Sequence, residues 1–200
     1  MILLKGDPVL RKELRNQRND ALIRQYGSDI LHSDEFETAL SQTHHHRSSV
    51  GVHSIMTARA GLTICNVINK TRFHIDERMI VRISLLHDLG MLGRTVRYRN
   101  KFMCGYLHPK NSAEAAKDLW DDIDKKSVRA IRSHMWPLSL AIPTSREGLV
   151  LCIADKVSAV GDRFKPKNRQ ELAAVLEEIR KVLSSGLEKS GFSVTFKPRI

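Results

Sequence analysis

Apolar residues recur at helical spacing along most of this chain, and the alternation typical of β-strands is almost absent. The clearest case is the stretch 50–69, where apolar side chains fall three or four positions apart and predict one long amphipathic helix. Its apolar positions are Val52, Ile55, Met56, Ala60, Ile64, Val67 and Ile68. A chain with this pattern must bury helix against helix, so we expect an all-α fold.

Further helices follow from the same spacing. They are expected at about 9–24, 34–40, 77–88, 112–120, 124–134, 147–160 and 168–188. The residues expected to cap helix N-termini are Asp76, Ser112, Asp124 and Ser145. Gly90 is placed to end the helix before it. The segment 91–111 has no strong period and is expected to be irregular, whereas the alternation at 192–196 is compatible with a short extended C-terminal tail.

The chain is basic and contains few cysteines. Its net charge is +11 and its pI is about 9.9, which attracts polyanions and phosphorylated small molecules without choosing between them. Cys65, Cys104 and Cys152 are far apart, with no CxxC pair, so we expect buried, unpaired thiols in a reducing compartment. No secretory signal and no apolar run of about 20 residues is visible, so we expect a cytoplasmic protein without a membrane partner.

Two features of the sequence indicate a metal site. His87 and Asp88 are adjacent at the expected end of a helix, where an imidazole and a carboxylate can reach one ion. Asp155 lies within the most apolar helix, and burying a carboxylate there is costly unless it is paired or bound to a metal. An ion pair with Lys156 or an arginine explains Asp155 equally well. Taken alone, a histidine such as His134 is more often structural than a ligand.

The order of these residues along the chain resembles the HD-domain superfamily of metal-dependent phosphohydrolases, in a compact single-domain bacterial form. The resemblance covers roughly residues 47–160 and rests on the pattern His, His-Asp, His, His, Asp. The segments that carry it are His53-Ser54, Leu85-Leu86-His87-Asp88-Leu89-Gly90, His108-Pro109, His134 and Ile153-Ala154-Asp155-Lys156. It implies an all-helical bundle of the HD-domain type.

The resemblance also implies roles for individual residues. The ligands that it implies for a first metal are His53, His87, Asp88 and Asp155. In members with two metals, His108 and His134 hold the second ion and Asp88 bridges. The resemblance implies one or two divalent ions among Mn, Fe, Zn, Co, Ni and Mg. His87 and Asp88 are the expected catalytic pair, with Asp88 both a ligand and an acceptor of the water's proton.

This chain departs from the family's pattern at positions around the implied site. Cys104 stands where related sequences often carry histidine, and Met135 follows His134 in place of a second histidine. The Gly-Lys that some HD enzymes place after the His-Asp pair is also absent. Binding of a phosphorylated substrate also requires lysine or arginine side chains. Most lysines and arginines, however, have only an ordinary surface or ion-pair role. The candidates are Arg47, Lys110, Arg146 and Lys156.

A histidine triplet and the two tryptophans are further candidates for parts of the site. The triplet His44-His45-His46 lies outside the implied ligand set, and we interpret it as a loop or as lining of the pocket mouth. Trp120 and Trp136 are expected in the core, with Trp136 the better candidate for lining the site.

The sequence favours a metal-dependent phosphoric ester hydrolase, a phosphomonoesterase or phosphodiesterase that acts on a nucleotide or other small phosphorylated substrate through a metal-activated water. One alternative is a regulatory or nucleotide-binding HD-like module without turnover, which the filled ligand positions disfavour. Another is a basic nuclease that binds nucleic acid through 91–101, which the scarcity of aromatics disfavours. The expected organisation is a helical extension, 1–46, packed on a hydrolase core, 47–165, with a C-terminal helix and tail, 166–200, in the same domain.

Overall fold

The computed structural model describes residues 8–45 and 48–164, and these residues form the all-α fold that the sequence predicts. The helices are α1 (Pro8–Leu31), α2 (Asp34–Ser41), α3 (Val50–Ile68), α4 (Glu77–Leu86), α5 (Arg94–Arg97), α6 (Lys101–Leu119), α7 (Lys125–Ser133) and α8 (Arg146–Phe164). A 3-10 turn covers Leu89–Met91. The expected helix 168–188 and tail 192–196 lie outside the described residues.

The core lies where α3 packs against α4 and α8, with α1 and α2 covering other sides of α3 and α7 packing on α8. The largest fully buried side chains include Ile30, Phe36, Leu62, Ile80, Ile83, Leu85, Leu86, Ile131 and Leu151. Every one of these side chains is apolar, and their burial supplies the main driving force for folding. None of the described helices is long and apolar enough to span a membrane.

Three of the predicted N-caps are confirmed by hydrogen bonds. Asp76 accepts from the backbone N–H of Met79 at 3.0 Å, and Asp124 accepts from that of Ser127 at 2.6 Å. The hydroxyl of Ser145 accepts from the backbone N–H of Gly148 at 3.0 Å, at the start of α8. Each cap satisfies a donor that the first helical turn leaves without a partner.

The helix predicted at 112–120 is present, but the prediction that residues up to 111 are irregular and that Ser112 caps this helix is wrong. Instead of an irregular segment, α6 begins at Lys101, with the Asn100 side chain accepting from the Met103 N–H at 2.8 Å. Ser112 therefore lies inside this helix and does not cap it. The helix continues through Pro109, a residue that ordinarily marks a helix boundary because it lacks an N–H donor, and this concealed the helix in the sequence.

The segment before α3 contains a short antiparallel pair of strands, β1 (Thr43–His45) and β2 (Ser48–Ser49), where the sequence predicts a loop. Ser49 then caps α3 by accepting from the N–H of Val52 at 3.2 Å. This connection leads the chain into the helix that carries His53.

Three arginine–carboxylate pairs join α1 to α3 and α4, and we call them the α1 seam. They are Arg18–Glu77 at 2.8 Å, Arg59–Asp20 at 2.7 Å and Arg82–Asp29 at 2.7 Å. In each pair the arginine donates to both carboxylate oxygens. Arg82 is the most deeply buried of the three arginines, and its guanidinium also lies over the ring of Trp120, 4.5 Å from the centroid. Bidentate geometry of this kind fixes the orientation of one helix on another.

All three cysteines are buried and free, as predicted. Burial is the largest effect on each thiol and raises the pKa of Cys65 to about 12 and that of Cys152 to about 11. Burial also raises the pKa of Cys104. These thiols therefore stay protonated at neutral pH and serve as small apolar core groups.

Candidate metal centre

Six histidine and aspartate side chains from five helices and their ends converge at one buried point. We call them the cluster: His53 of α3, His87 and Asp88 after α4, His108 of α6, His134 after α7, and Asp155 of α8. All six are buried. The structure therefore brings together every residue for which the family resemblance implied a metal-ligating role.

One part of the cluster is built around Asp155. Its Oδ1 lies 3.0 Å from Nε2 of His53 and 3.7 Å from Nε2 of His87. The potential ligand atoms of these three residues all lie within 4.8 Å of one another. Two imidazoles and a carboxylate at this spacing suit a borderline divalent cation such as Zn, Fe or Mn.

The other part of the cluster is a pair of histidines. Nε2 of His108 lies 3.0 Å from Nε2 of His134, and Oδ1 of Asp88 lies 3.3 Å and 3.5 Å from these two nitrogens. The second oxygen of Asp88, Oδ2, lies 3.4 Å from Nε2 of His87. Asp88 thus presents one oxygen to each part of the cluster, which is the arrangement of a bridging carboxylate.

Hydrogen bonds fix the tautomers of three of the histidines. Each uses Nδ1 to donate to a backbone carbonyl one turn earlier: His87 to Ser84 at 2.7 Å, His108 to Cys104 at 2.9 Å, and His134 to Ile131 at 2.7 Å. A carbonyl oxygen only accepts, so each Nδ1 carries the proton and the neutral ring has its lone pair on Nε2. This is the tautomer that a metal ligand requires.

The inward-facing lone pairs make the cluster incomplete by itself. With both Nδ1 protons committed to carbonyls, the Nε2 lone pairs of His108 and His134 face one another at 3.0 Å and repel. Among the described residues, Nε2 of His87 is buried without a hydrogen-bond partner. A cation placed between these nitrogens and the Asp88 carboxylate would satisfy all of them, so the residues present fit a metal ion.

The charges of the cluster shift the pKa values of its members in opposite directions. Burial lowers the pKa of His134, and the neighbouring His87 and His108 add to this, so that its ring stays neutral. Burial acts the same way on His87, but the carboxylates of Asp88 and Asp155 outweigh it and raise its pKa. Burial tends to raise the pKa of Asp155, yet the hydrogen bond with His53 and the nearby ring of His87 hold it well below its usual range. Asp155 is therefore an anion at neutral pH.

The side chain of Asp155 is 13% exposed, whereas that of Asp88 is 4% exposed and those of the four histidines are at most 4% exposed. The cluster is therefore most accessible to water at Asp155.

Comparison with known proteins decides the family. The model of the HD-domain family matches residues 50–160, which is more than half of the chain. This chain belongs to the HD-domain family. No curated protein and no solved structure matches it. HD domains bind divalent metals and form a superfamily of metal-dependent phosphohydrolases, so the predicted family is confirmed.

A glycine sets the distance between two parts of the HD site. Gly90, two residues after Asp88, packs against α6 so closely that a Cβ atom there would lie 2.4 Å from the carbonyl oxygen of His108 and from the amide nitrogen of Ser112. The N–H of Gly90 also donates to the Ser112 hydroxyl at 2.9 Å. Gly90 lies in the 3-10 turn and has no positive φ, so close approach is its role here, and its predicted role as a helix end is wrong.

Of the predicted phosphate-binding cations, one lies beside the HD cluster. Lys156 follows Asp155 directly, and its Nζ donates to the carbonyl of His134 at 3.2 Å. Arg146 begins α8, about 13 Å along the helix axis from Asp155, and its guanidinium lies over the ring of Phe73. The structure therefore does not bring Arg146 to the cluster.

Lys110 is also not brought to the cluster. It is exposed on α6 two residues after His108, which places it nearly on the opposite side of that helix. Arg47 lies outside the described residues, as do the side chains of the triplet 44–46. Lys156 is thus the one candidate among the described residues that adjoins the site.

The two tryptophans occupy different surroundings, and neither is fully in the core. Trp120 is half-buried against Arg82. Trp136 is 39% exposed and lines an open groove of about 380 Å³ with Pro143, Arg146 and other residues of the segment 142–149. None of the six cluster residues lines this groove. The prediction that Trp136 is a core residue is wrong, and its predicted place in the lining of the HD site is not observed.

Sequence reasoning missed the groups that orient the cluster histidines. These are backbone carbonyls of Ser84, Cys104 and Ile131, and a carbonyl has no residue-type signature. The available signal is positional, because a histidine at a helix end can reach a carbonyl three or four residues earlier. The site hydroxyl of Ser112 was also missed, since its position was assigned to a helix cap.

Proposed function

We propose that this HD domain hydrolyses phosphomonoesters or phosphodiesters of a nucleotide or another small phosphorylated compound, in a reaction that depends on bound divalent metal. The observation that carries the proposal is the contact between Nε2 of His108 and Nε2 of His134, two lone pairs 3.0 Å apart beside the Asp88 carboxylate. A cation between these two atoms would relieve the repulsion and satisfy both lone pairs in this buried site. Family membership supplies the reaction class.

The six cluster residues would hold the metal in two overlapping sets. His53, His87, Asp88 and Asp155 form one set around the short His53–Asp155 contact. His108 and His134 form the second set together with Oδ1 of Asp88. When bound, a divalent metal lowers the pKa of a water ligand to near neutrality and neutralises charge on phosphoryl oxygens.

The protein's own residues then have separable tasks. The carbonyls that accept from Nδ1 of His87, His108 and His134 hold these rings in one orientation. Asp88, with an oxygen directed to each half, is placed to accept the proton of the attacking water. Lys156, next to Asp155 at the more exposed side, is the cation that would contact the substrate phosphate. Its ammonium can exchange a carbonyl contact for a phosphate oxygen without moving the helix.

The test is metal content and phosphate release by the full chain, purified without a histidine tag. Asp88→Asn removes the bridging charge but keeps the shape of the side chain. Exposed Asp122→Asn is the matched control, because it makes the same substitution in the turn between α6 and α7. We expect the native protein and the control to contain transition metal and to release phosphate from nucleotide esters. We expect Asp88→Asn to lose both the metal and this activity.

The number of ions refines the outcome. About two per chain fills both sets of ligands. About one ion per chain would leave the proposed hydrolase activity in place and would assign His108 and His134 to substrate contact. No metal after incubation with Mn, Fe or Zn, or equal metal in Asp88→Asn, would contradict the proposal.

A further inference from the structure

The positive charge of this protein is concentrated next to the cluster. No aspartate or glutamate occurs between Asp88 and Glu114, although this stretch contains Arg94, Arg97, Arg99, Lys101 and Lys110. The segment therefore contributes much of the net charge of +11. An uninterrupted cationic segment attracts polyanions at long range.

Aromatic rings are exposed on the same segment, which the sequence alone did not reveal. Phe102 is 80% exposed and Tyr106 is 49% exposed. They lie four residues apart on α6 and so project from the same side of the helix, and Lys110 continues that line one turn later. Arg97 and Arg99, just before α6, are exposed as well. We call these five residues the α5–α6 surface.

The α5–α6 surface is held in place by buried contacts. Tyr98, between the two exposed arginines, is buried and donates its hydroxyl to the carbonyl of Gly90 at 2.7 Å. The side chain of Asn111 donates to the same hydroxyl at 2.6 Å. The connection from α5 to α6 is thus tied to the 3-10 turn and to α6, so less entropy is lost when a ligand binds.

We infer that the α5–α6 surface binds single-stranded nucleic acid. Unpaired bases can stack on the rings of Phe102 and Tyr106, while Arg97, Arg99 and Lys110 contact the phosphates between them. Exposed aromatic rings flanked by cations suit sequence-tolerant single-strand binding, in which bases stack and the backbone is neutralised. A duplex would leave the rings unused, because its bases are already stacked on one another.

A phospholipid surface fits these residues less well. An interfacial helix needs a continuous apolar face along its length. On α6 the exposed side changes from the rings of Phe102 and Tyr106 to Lys110, and then to the ion pair of Glu114 with Lys117. Lys110 lies one helical turn after Tyr106, so a cation is placed where the phosphate next to a stacked base would lie.

The proposed surface lies next to the cluster but does not form part of it. His108 follows Tyr106 by two residues and projects from the other side of α6, into the cluster. Tyr98, between Arg97 and Arg99, donates to the carbonyl of Gly90, two residues after Asp88, so the surface adjoins the site. Strand binding by this surface does not depend on the proposed hydrolysis.

Binding is measured by the fluorescence anisotropy of labelled oligo-dT and oligo-U with the full, metal-bound chain, and gel electrophoresis afterwards checks that the oligonucleotides are intact. Phe102→Ala/Tyr106→Ala removes both rings, and we expect about tenfold or greater loss of affinity. Arg97→Gln/Arg99→Gln should weaken binding and reduce the slope of log affinity against log salt by about 1.4. The control Arg11→Gln/Arg24→Gln removes the same charge from the exposed side of α1. Leu138→Ala/Leu140→Ala removes equally exposed apolar groups.

Selective loss in the two surface variants, with thermal unfolding unchanged, supports the inference, and the comparison of the two oligonucleotides tells DNA from RNA. Absence of binding, equal loss in the control variants, equal affinity for a duplex, or tighter binding to anionic phospholipid vesicles would overturn it. Metal content that stays normal in a protein without strand binding would overturn this inference and leave the proposed function intact.

Discussion

Two concentrations of charge in this protein, the α1 seam and the cluster, are built on opposite principles. In the α1 seam every carboxylate faces an arginine that donates to both of its oxygens. In the cluster, Asp88 and the Nε2 atoms of His87, His108 and His134 meet with their acceptor atoms directed at one another. Each carboxylate of the seam has its donors in the folded protein, whereas the cluster would gain its full stability only with a cation.

The difference shows how burial decides what a charged group can do. The seam pairs are partly exposed, and the Asp29 side chain is 57% exposed. Both water and the arginine therefore stabilise the carboxylate charge. The cluster excludes water almost completely. A buried acceptor without a donor is costly, and that cost is the source of metal affinity. Stability and binding are thus assigned to separate groups of ionisable residues.

Of the changes that test this difference between the seam and the cluster, metal removal should have the largest effect on stability. We expect chelation to lower the free energy of unfolding by about 3–4 kcal/mol when the metal is held at several hundred times its dissociation constant. Urea denaturation before and after dialysis against EDTA measures this. The chelator should not affect Asp88→Asn, which has no metal to lose. Equal stability of the native protein with and without metal would contradict the claim that the cluster depends on a cation.

Arg82→Met should give the next largest effect, and it acts on the seam. The substitution keeps an apolar side chain of similar length but leaves Asp29 and the carbonyl of Tyr26 without their donor. Since Asp29 is more than half exposed, we expect a loss of about 2 kcal/mol and not the larger cost of a fully buried pair.

Arg18→Met is the matched control for that substitution, because Arg18 is 44% exposed in its pair with Glu77. Its expected cost is about 0.5 kcal/mol. Metal content should be unchanged in both variants. Metal loss in Arg82→Met would show that the seam and the cluster are coupled.

The smallest expected effect is on the pH dependence of stability. Burial tends to raise the pKa of Asp29, but the hydrogen bond and charge of Arg82 outweigh this and lower it from 3.8. A depressed pKa in the folded state stabilises the fold above the unfolded value and loses that stabilisation as pH falls through the folded value. Asp29→Asn should therefore be less stable than the native protein at pH 7, and the gap should close below about pH 4.

That gap is measured by chemical denaturation of both proteins across this pH range. A gap of constant size would mean that Asp29 contributes by its shape or hydrogen bonding and not by its charge.

Much of the architecture could be predicted, because its signals are local. The 3.6-residue period marks α3, and the short polar side chains of Asp76 and Asp124 mark helix starts through hydrogen bonds within one turn. That the cluster residues would come together was implied by family resemblance. Periodicity alone left Asp155 equally consistent with an ion pair.

The remaining features depend on tertiary contacts that a local pattern does not contain. The helix across Pro109 is stabilised by its packing on the 3-10 turn at Gly90, which overrides the usual reading of proline as a boundary. The exposure of Phe102 could not be inferred either, since an aromatic residue is more often buried than exposed. Arg146 was assigned to the site by its place in the sequence, but the length of α8 separates it from Asp155.

The contact between His53 and Asp155 joins residues 102 positions apart in the chain. During synthesis the chain passes through His53, His87, Asp88, His108 and His134 before the last carboxylate is made. A nascent or truncated chain that stops short of α8 holds four imidazoles and a single carboxylate, and it cannot close the site around Asp155. The ligand set around Asp155 can therefore form only after α8 has been made, and we expect a chain that ends before Asp155 to bind less metal than the full chain.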